Sequence, residues 1–198
     1  MRRLAFLSLS IILFAFTRRD SAEDLLGLKG PYQFNNTRFD LAYSVKNGEA
    51  YYIQEYLPKG ENLDSYTQML SYQVLDVDMT VEKAVDIKRE ELENRKKIDP
   101  ICQYRIIENS DKSSYIADFV MSDTTGGDVR ILEFNIYRYQ FVKTAKKKKG
   151  VLLYSYTARR YDNASAKTYL LGLKDERQRL IGEMMQAKMP DGVLDADR

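Results

Sequence analysis

The sequence predicts an α+β domain, an antiparallel β-sheet flanked by helices. Three observations carry that expectation. Runs with apolar residues at every second position recur, from Phe39 to Lys46 and again beyond Ile101. Connections of hairpin length, rich in Gly, Asn and Asp, separate them, and such links make neighbouring strands antiparallel. Two stretches, about 81–97 and 163–188, instead space apolar residues three and four apart, the helical period.

Residues 1–22 are expected to be a signal peptide and residues 23–198 a single domain. Arg2 and Arg3 precede an unbroken apolar and small-hydroxyl stretch, Leu4 to Phe16. As a helix that stretch would reach about 20 Å, short of the roughly 30 Å bilayer core. The length suits a signal h-region, with cleavage after Ala22 or, alternatively, after Thr17. No later stretch is apolar enough to span a bilayer. The expected location is therefore periplasmic or secreted.

Residues 23–30, broken by glycine, read as a mobile lead-in. Phe39 to Lys46 then places Phe39, Leu41, Tyr43 and Val45 on one strand face. Asn47-Gly48 is a strong hairpin signal, and Ala50 to Leu57 returns until Pro58 and Gly60 end it. A helical turn from Asp64 or Ser65 toward Met69 should lead into a strand over about 67–77. Thr80 caps the first helix, with Val81, Ala84, Val85 and Leu92 on its apolar stripe. Asp99-Pro100 ends that helix. Four strands should follow, at 101–108, 114–121, 128–142 and 151–161, with Lys146–Lys149 at the last turn. Asp162 or Asn163 starts the second helix, whose apolar residues Ala166, Leu170, Leu173, Ile181 and Met184 should face the sheet. Pro190 stops it, and the tail beyond should be frayed.

Composition excludes much chemistry. The chain has no histidine, no tryptophan and one cysteine, Cys102. Ser-His-Asp and Cys-His catalysis and histidine-ligated metals are excluded, and so is a disulfide within the chain. Removing residues 1–22 takes away four arginines and Asp20, leaving 27 basic and 28 acidic side chains. That balance gives no general case for nucleic-acid binding.

The stretch YYIQEYLPKGENLDSYTQMLSYQV, residues 51–74, combines an aromatic strand, Glu-Tyr-aliphatic-Pro-x-Gly-Glu, and a following aromatic and Met-Leu pair. With the order of elements, it resembles exported bacterial proteins of unknown function similar to the PsbP-like α/β/α sandwich class. The resemblance implies that fold and an exported binding or accessory role. It carries over no catalytic residue, and Tyr66 stands where many relatives carry tryptophan.

Glu55, Tyr56, Glu61 and Tyr66 flank the Pro58–Gly60 turn and are the candidate binding residues. The segment reads either as a structural corner, with both rings packed inward, or as a partner-binding rim. Fifteen tyrosines are the unusual feature of the composition. Those at 137, 139, 154 and 156 fall on strands, as cross-strand ladders or as an aromatic platform for glycan or peptide. Asp76, Asp78 and Glu82 read as capping carboxylates, and Asp123–Asp128 as a hairpin connection. No metal and no cofactor are expected. Two functions remain: a non-catalytic binding or accessory protein of the bacterial envelope, with an unknown protein or glycan partner, and a carboxylate-dependent hydrolase of envelope glycans. The hydrolase would draw two acids from Glu55, Glu61, Asp118 and Glu133 into one pocket.

Overall fold

The computed structural model describes residues 22–110, 112–144, 149–190 and 192–193. The expected leader lies outside these residues except for Ala22. The lysine-rich tip also lies outside them, apart from the backbone of Lys149.

The chain opens with β1 (Tyr32–Phe34) and β2 (Thr37–Asn47), joined by Asn35 and Asn36. Both asparagines have positive φ, 50° and 55°, the left-handed pair that a two-residue hairpin requires. β3 (Tyr51–Pro58) returns beside β2 after a loop of Gly48, Glu49 and Ala50, with Gly48 at φ 66°. β4 (Gln68–Leu75) follows. The helix α1 (Val81–Lys96) then crosses to the far edge of the sheet, where β5 (Gln103–Glu108) begins a meander with β6 (Ser114–Thr125), β7 (Asp128–Thr144) and β8 (Lys149–Arg160). The strand order is β1-β2-β3-β4-β8-β7-β6-β5, with every neighbour antiparallel. The β4–β8 pairing joins the two halves of the sheet, from Gln68 opposite Ala158 to Leu75 opposite Val151. The second helix α2 (Asn163–Gln186) closes the chain, followed by β9 (Gly192–Val193), which runs parallel to β7.

Both helices start on side chains the sequence supplies. The Thr80 hydroxyl accepts from the Lys83 N–H at 3.2 Å, and an Asp162 oxygen accepts from the Ser165 N–H at 2.8 Å. The far end of α2 is closed by a residue distant in sequence. Arg138 Nη1 donates to the carbonyls of Met184, Met185 and Ala187 at 2.9–3.1 Å. These carbonyls have no partner within the helix, and a cation there also complements the helix dipole.

Alternation along the strands sorts the core. Leu70, Tyr72 and Val74 of β4, Leu152, Tyr154 and Tyr156 of β8, and Phe134 and Ile136 of β7 form the main cluster with Leu173, Leu180, Ile181 and Met184 of α2. On the other face, Tyr115, Ala117, Tyr139 and Val151 meet Val81, Ala84 and Val85 of α1.

The expected sandwich of helices around a sheet is not what the chain builds. Among the described residues strand outweighs helix, 47% against 24%, in an essentially eight-stranded antiparallel sheet. The contacts of α1 fall on β5, β6 and β7, and the main ones of α2 on β6, β7 and β8. Two helices of 16 and 24 residues cannot tile a sheet this wide. Beyond the helices, the strands cover part of their surface by packing their own aromatic rings together. Tyr72 and Tyr154, for example, stack at 4.5 Å and 17°.

Local expectations are corrected too. The lead-in is tied down: Leu26 is buried and its N–H donates to Gln54 Oε1 at 2.7 Å. No helical turn forms at 64–69, because Asn62 Oδ1 accepts the Asp64 and Ser65 N–H groups at 3.0 and 3.1 Å and holds a turn instead. The single face expected for β2 is broken by a bulge between Leu41 and Tyr43. Leu170 is half-buried rather than buried. The tail is not wholly frayed, since Val193 is buried and paired with Thr144. Among the described residues, no helix is long and apolar enough to cross a membrane.

Candidate functional site

The face that α1 only partly covers carries a polar seam. Strand register puts Glu55, Ser71, Ser155 and Tyr137 in one row across β3, β4, β8 and β7. Gln73, Leu153 and Tyr139 form the row on one side, and Met69, Thr157 and Asn135 the row on the other. The small polar residues bond to one another. Tyr51 Oη donates to Gln73 Oε1 at 2.5 Å, Gln73 Nε2 to Ser71 Oγ at 3.3 Å, and the Ser71 and Ser155 hydroxyls lie 2.6 Å apart. Thr157 Oγ1 donates to Asn135 Oδ1 at 2.7 Å, while the buried Asn135 Nδ2 has no partner among the described residues.

A groove of about 180 Å³ runs between this seam and α1. Gln73, Val151 and Leu153 belong to its sheet side, Ala84, Ile87 and Lys88 to its helix side, and Tyr137 and Tyr139 complete it. Ile87 is 48% exposed. Lys88 Nζ lies 5.3 Å from the Tyr137 ring centroid and 2.6 Å from Glu91 Oε2. The Tyr137 and Tyr139 hydroxyls make no hydrogen bond among the described residues. Burial pushes both phenols above the usual tyrosine range, so they stay protonated and able to donate.

The four candidate residues do not converge. Glu55 borders the seam, half-buried; burial raises its carboxyl above the ordinary glutamate value, and the Arg159 charge partly opposes this. Tyr66 lies on the same side, packed with Leu57 and Met69, with the Arg159 guanidinium 4.1 Å from its ring centroid. Tyr56 points to the opposite face, where its hydroxyl donates to the Leu28 carbonyl and accepts from Gln54 Nε2 at 2.7 Å. Glu61 spans its own loop, accepting from the Thr67 N–H at 2.7 Å and the Thr67 hydroxyl at 2.6 Å.

The other acids considered for hydrolysis are engaged. Asp118 is fully buried on the α2 face, accepting from Arg177 Nε at 2.7 Å and Arg105 Nε at 3.1 Å. Glu133 pairs with Arg159 at 2.5 Å. Among the described residues no group of three or more Cys, Asp or Glu side chains is placed to hold a metal. Gln73, Lys88 and Arg159 were missed in sequence because each is an ordinary surface-type residue, and only strand register and the path of α1 bring them to this face.

No curated protein matches the chain. A family model matches residues 26–189, most of the chain, and does not extend to the PsbP-like resemblance. The chain belongs to that family, an uncharacterised one.

Proposed function

We propose that the chain is an exported, non-catalytic binding or accessory protein of the bacterial cell envelope, and that it takes a side chain of a protein partner into the groove beside α1. One observation carries the reading: the groove is apolar-walled, edged by exposed Ile87, and supplied with one ammonium and two phenols that are unbonded among the described residues. Its size argues for a side chain. Small-molecule sites commonly occupy about 300–1,000 Å³. This groove holds about six water volumes at about 30 Å³ each, the bulk of one large residue. The rings argue for peptide over glycan. Lys88 covers a face of Tyr137, and Tyr139 is only 4% exposed, so neither offers the open face that sugar stacking needs. Glu55 and Tyr66 extend the binding surface along the seam.

The alternative, a carboxylate-dependent hydrolase of envelope glycans, draws less support. It needs two cooperating acids. Glu55 has the raised carboxyl, but Glu61, Glu133 and Asp118 are bound to their own neighbours. Export rests on the Arg2-Arg3 and Leu4–Phe16 pattern.

The test is cross-linked capture from the native envelope with the wild type and Ile87→Asp. Ile87 is half-exposed, so the variant should melt as the wild type does. A partner held by the wild type and lost by the variant supports the reading. Equal capture by both sinks it.

A further inference from the structure

We propose that a second cleft, on the α2 face, binds an anionic amphiphile, specifically a single-chain fatty carboxylate. The cleft, open to solvent, lies between the middle of α2 and the β5–β6 edge of the sheet and has a volume of about 500 Å³. That volume falls within the range of small-molecule sites, unlike the groove beside α1. Its apolar lining comes from Ile101 and Val120 on the sheet side and Leu170 and Leu173 on the helix.

Charge decides the head group. Lys174 and Arg177 line the cleft, and among the described residues no carboxylate does. Beneath them the single buried carboxylate of Asp118 is shared by two guanidiniums, those of Arg177 and Arg105. That cluster keeps one positive charge in excess. Lys174 is exposed and makes no ion pair among the described residues, so it adds a second. An apolar bed with a positive rim complements a negative head on a hydrocarbon tail. A bare inorganic anion would leave the bed wetted, and a neutral alcohol would leave the rim uncompensated. A methylene takes up about one water volume, so a tail of about twelve carbons fits within the cleft with room for its carboxylate.

Leu171, 72% exposed, and half-buried Leu170 show that this part of α2 is incompletely covered by the protein's own side chains. A tail lying along Leu170 would cover part of that surface. The site is on the face opposite the groove beside α1, so the two can be tested separately.

The experiment is calorimetric titration of the protein with dodecanoate and with dodecanol, each below its aggregation threshold. Dodecanoate should bind once and saturably, with dodecanol weaker by about tenfold or more. Lys174→Glu should weaken dodecanoate by a similar factor without changing the melting temperature, because Lys174 is exposed and unpaired. Lys88→Glu, on the opposite face, should leave dodecanoate binding unchanged. No saturable binding, equal binding of the alcohol, an unaffected Lys174→Glu, or a loss confined to Lys88→Glu would each overturn the proposal.

Discussion

Leu173→Ala should destabilise the protein by less than Leu180→Ala, although both leucines sit under α2. Leu180 is 1% exposed and Leu173 5%, so burial alone predicts similar losses. Their surroundings differ. Leu173 borders both the 500 Å³ cleft and a second one of about 550 Å³ on the other side of α2 near Arg160. Each truncation removes about three carbons, worth about 2.4 kcal/mol at ~0.8 kcal/mol apiece. At Leu180 the vacated space is sealed; a void of about 70 Å³ at ~24 cal/mol per Å³ adds about 1.7 kcal/mol, for a total of about 4 kcal/mol. At Leu173 the space merges with clefts already open to water, so the second contribution largely vanishes and the loss stays near about 2–2.5 kcal/mol. Urea unfolding followed by far-UV circular dichroism measures both, and unchanged slopes would show that the unfolded state is unaffected. A Leu173→Ala loss below about 0.5 kcal/mol would mean that the helix is not docked there. A loss equal to that of Leu180→Ala would mean that the clefts are closed in solution.

Arg138→Met should cost about 1.5–3 kcal/mol, because it strips a charged donor from three helix-end carbonyls, and amide exchange should rise first in the last turn of α2. An unchanged exchange pattern would show that the cap is idle. Tyr66→Ala should cost about 3 kcal/mol or more, since the ring packs with Leu57 and Met69 beneath Arg159; a melting temperature near that of the wild type would place the ring outside the packed corner. Glu55 should make stability fall as pH rises. Its folded pKa lies above the unfolded value of about 4.3, so between the two the folded state keeps a proton that the unfolded state has released. Glu55→Gln should abolish that fall, visible as a variant that gains on the wild type through the window; parallel pH profiles would refute it. Protein recovered from the envelope should carry a new N-terminus between about residues 18 and 23, and recovery of intact Met1 in a soluble cytoplasmic fraction would defeat the leader assignment.

Elements were legible where one local rule sufficed. Thr80 and Asp162 announce the helices because capping is a short-range hydrogen bond. The meander from β5 to β8 was legible from alternation and turn chemistry, with bounds close to those expected. What failed was long-range. Nothing local says that β4 pairs with β8, 86 positions later in the register that joins Leu70 to Tyr156, nor that Arg138 ends α2. Leu26 reads as part of a glycine-broken lead-in until the Gln54 amide is seen to accept its N–H. The layered architecture failed for a related reason: periodicity reveals that a helix has an apolar stripe, but not how much of a sheet that stripe covers.

The candidate site shows the same division more sharply. Glu55 and Tyr56 are adjacent in sequence, and on a strand adjacency means separation, because successive side chains leave by opposite faces. Glu55 therefore meets Ser71 and the seam, while Tyr56 enters the core against Tyr32 at 5.0 Å between ring centroids. Pro58 and Gly60 then turn the chain, and Glu61 spends its carboxylate on Thr67 to hold that turn. A recognisable motif is thus distributed among three jobs on two faces. The groove has the reverse construction. Gln73, Lys88, Tyr137 and Leu153 share no motif, yet three strands and a helix bring them around one cavity. Sequence proximity marks what folding needs locally, whereas a site on a sheet face is assembled by register across strands. In this protein only Glu55 and Tyr66 of the four candidate residues consequently reach the face that carries the proposed groove.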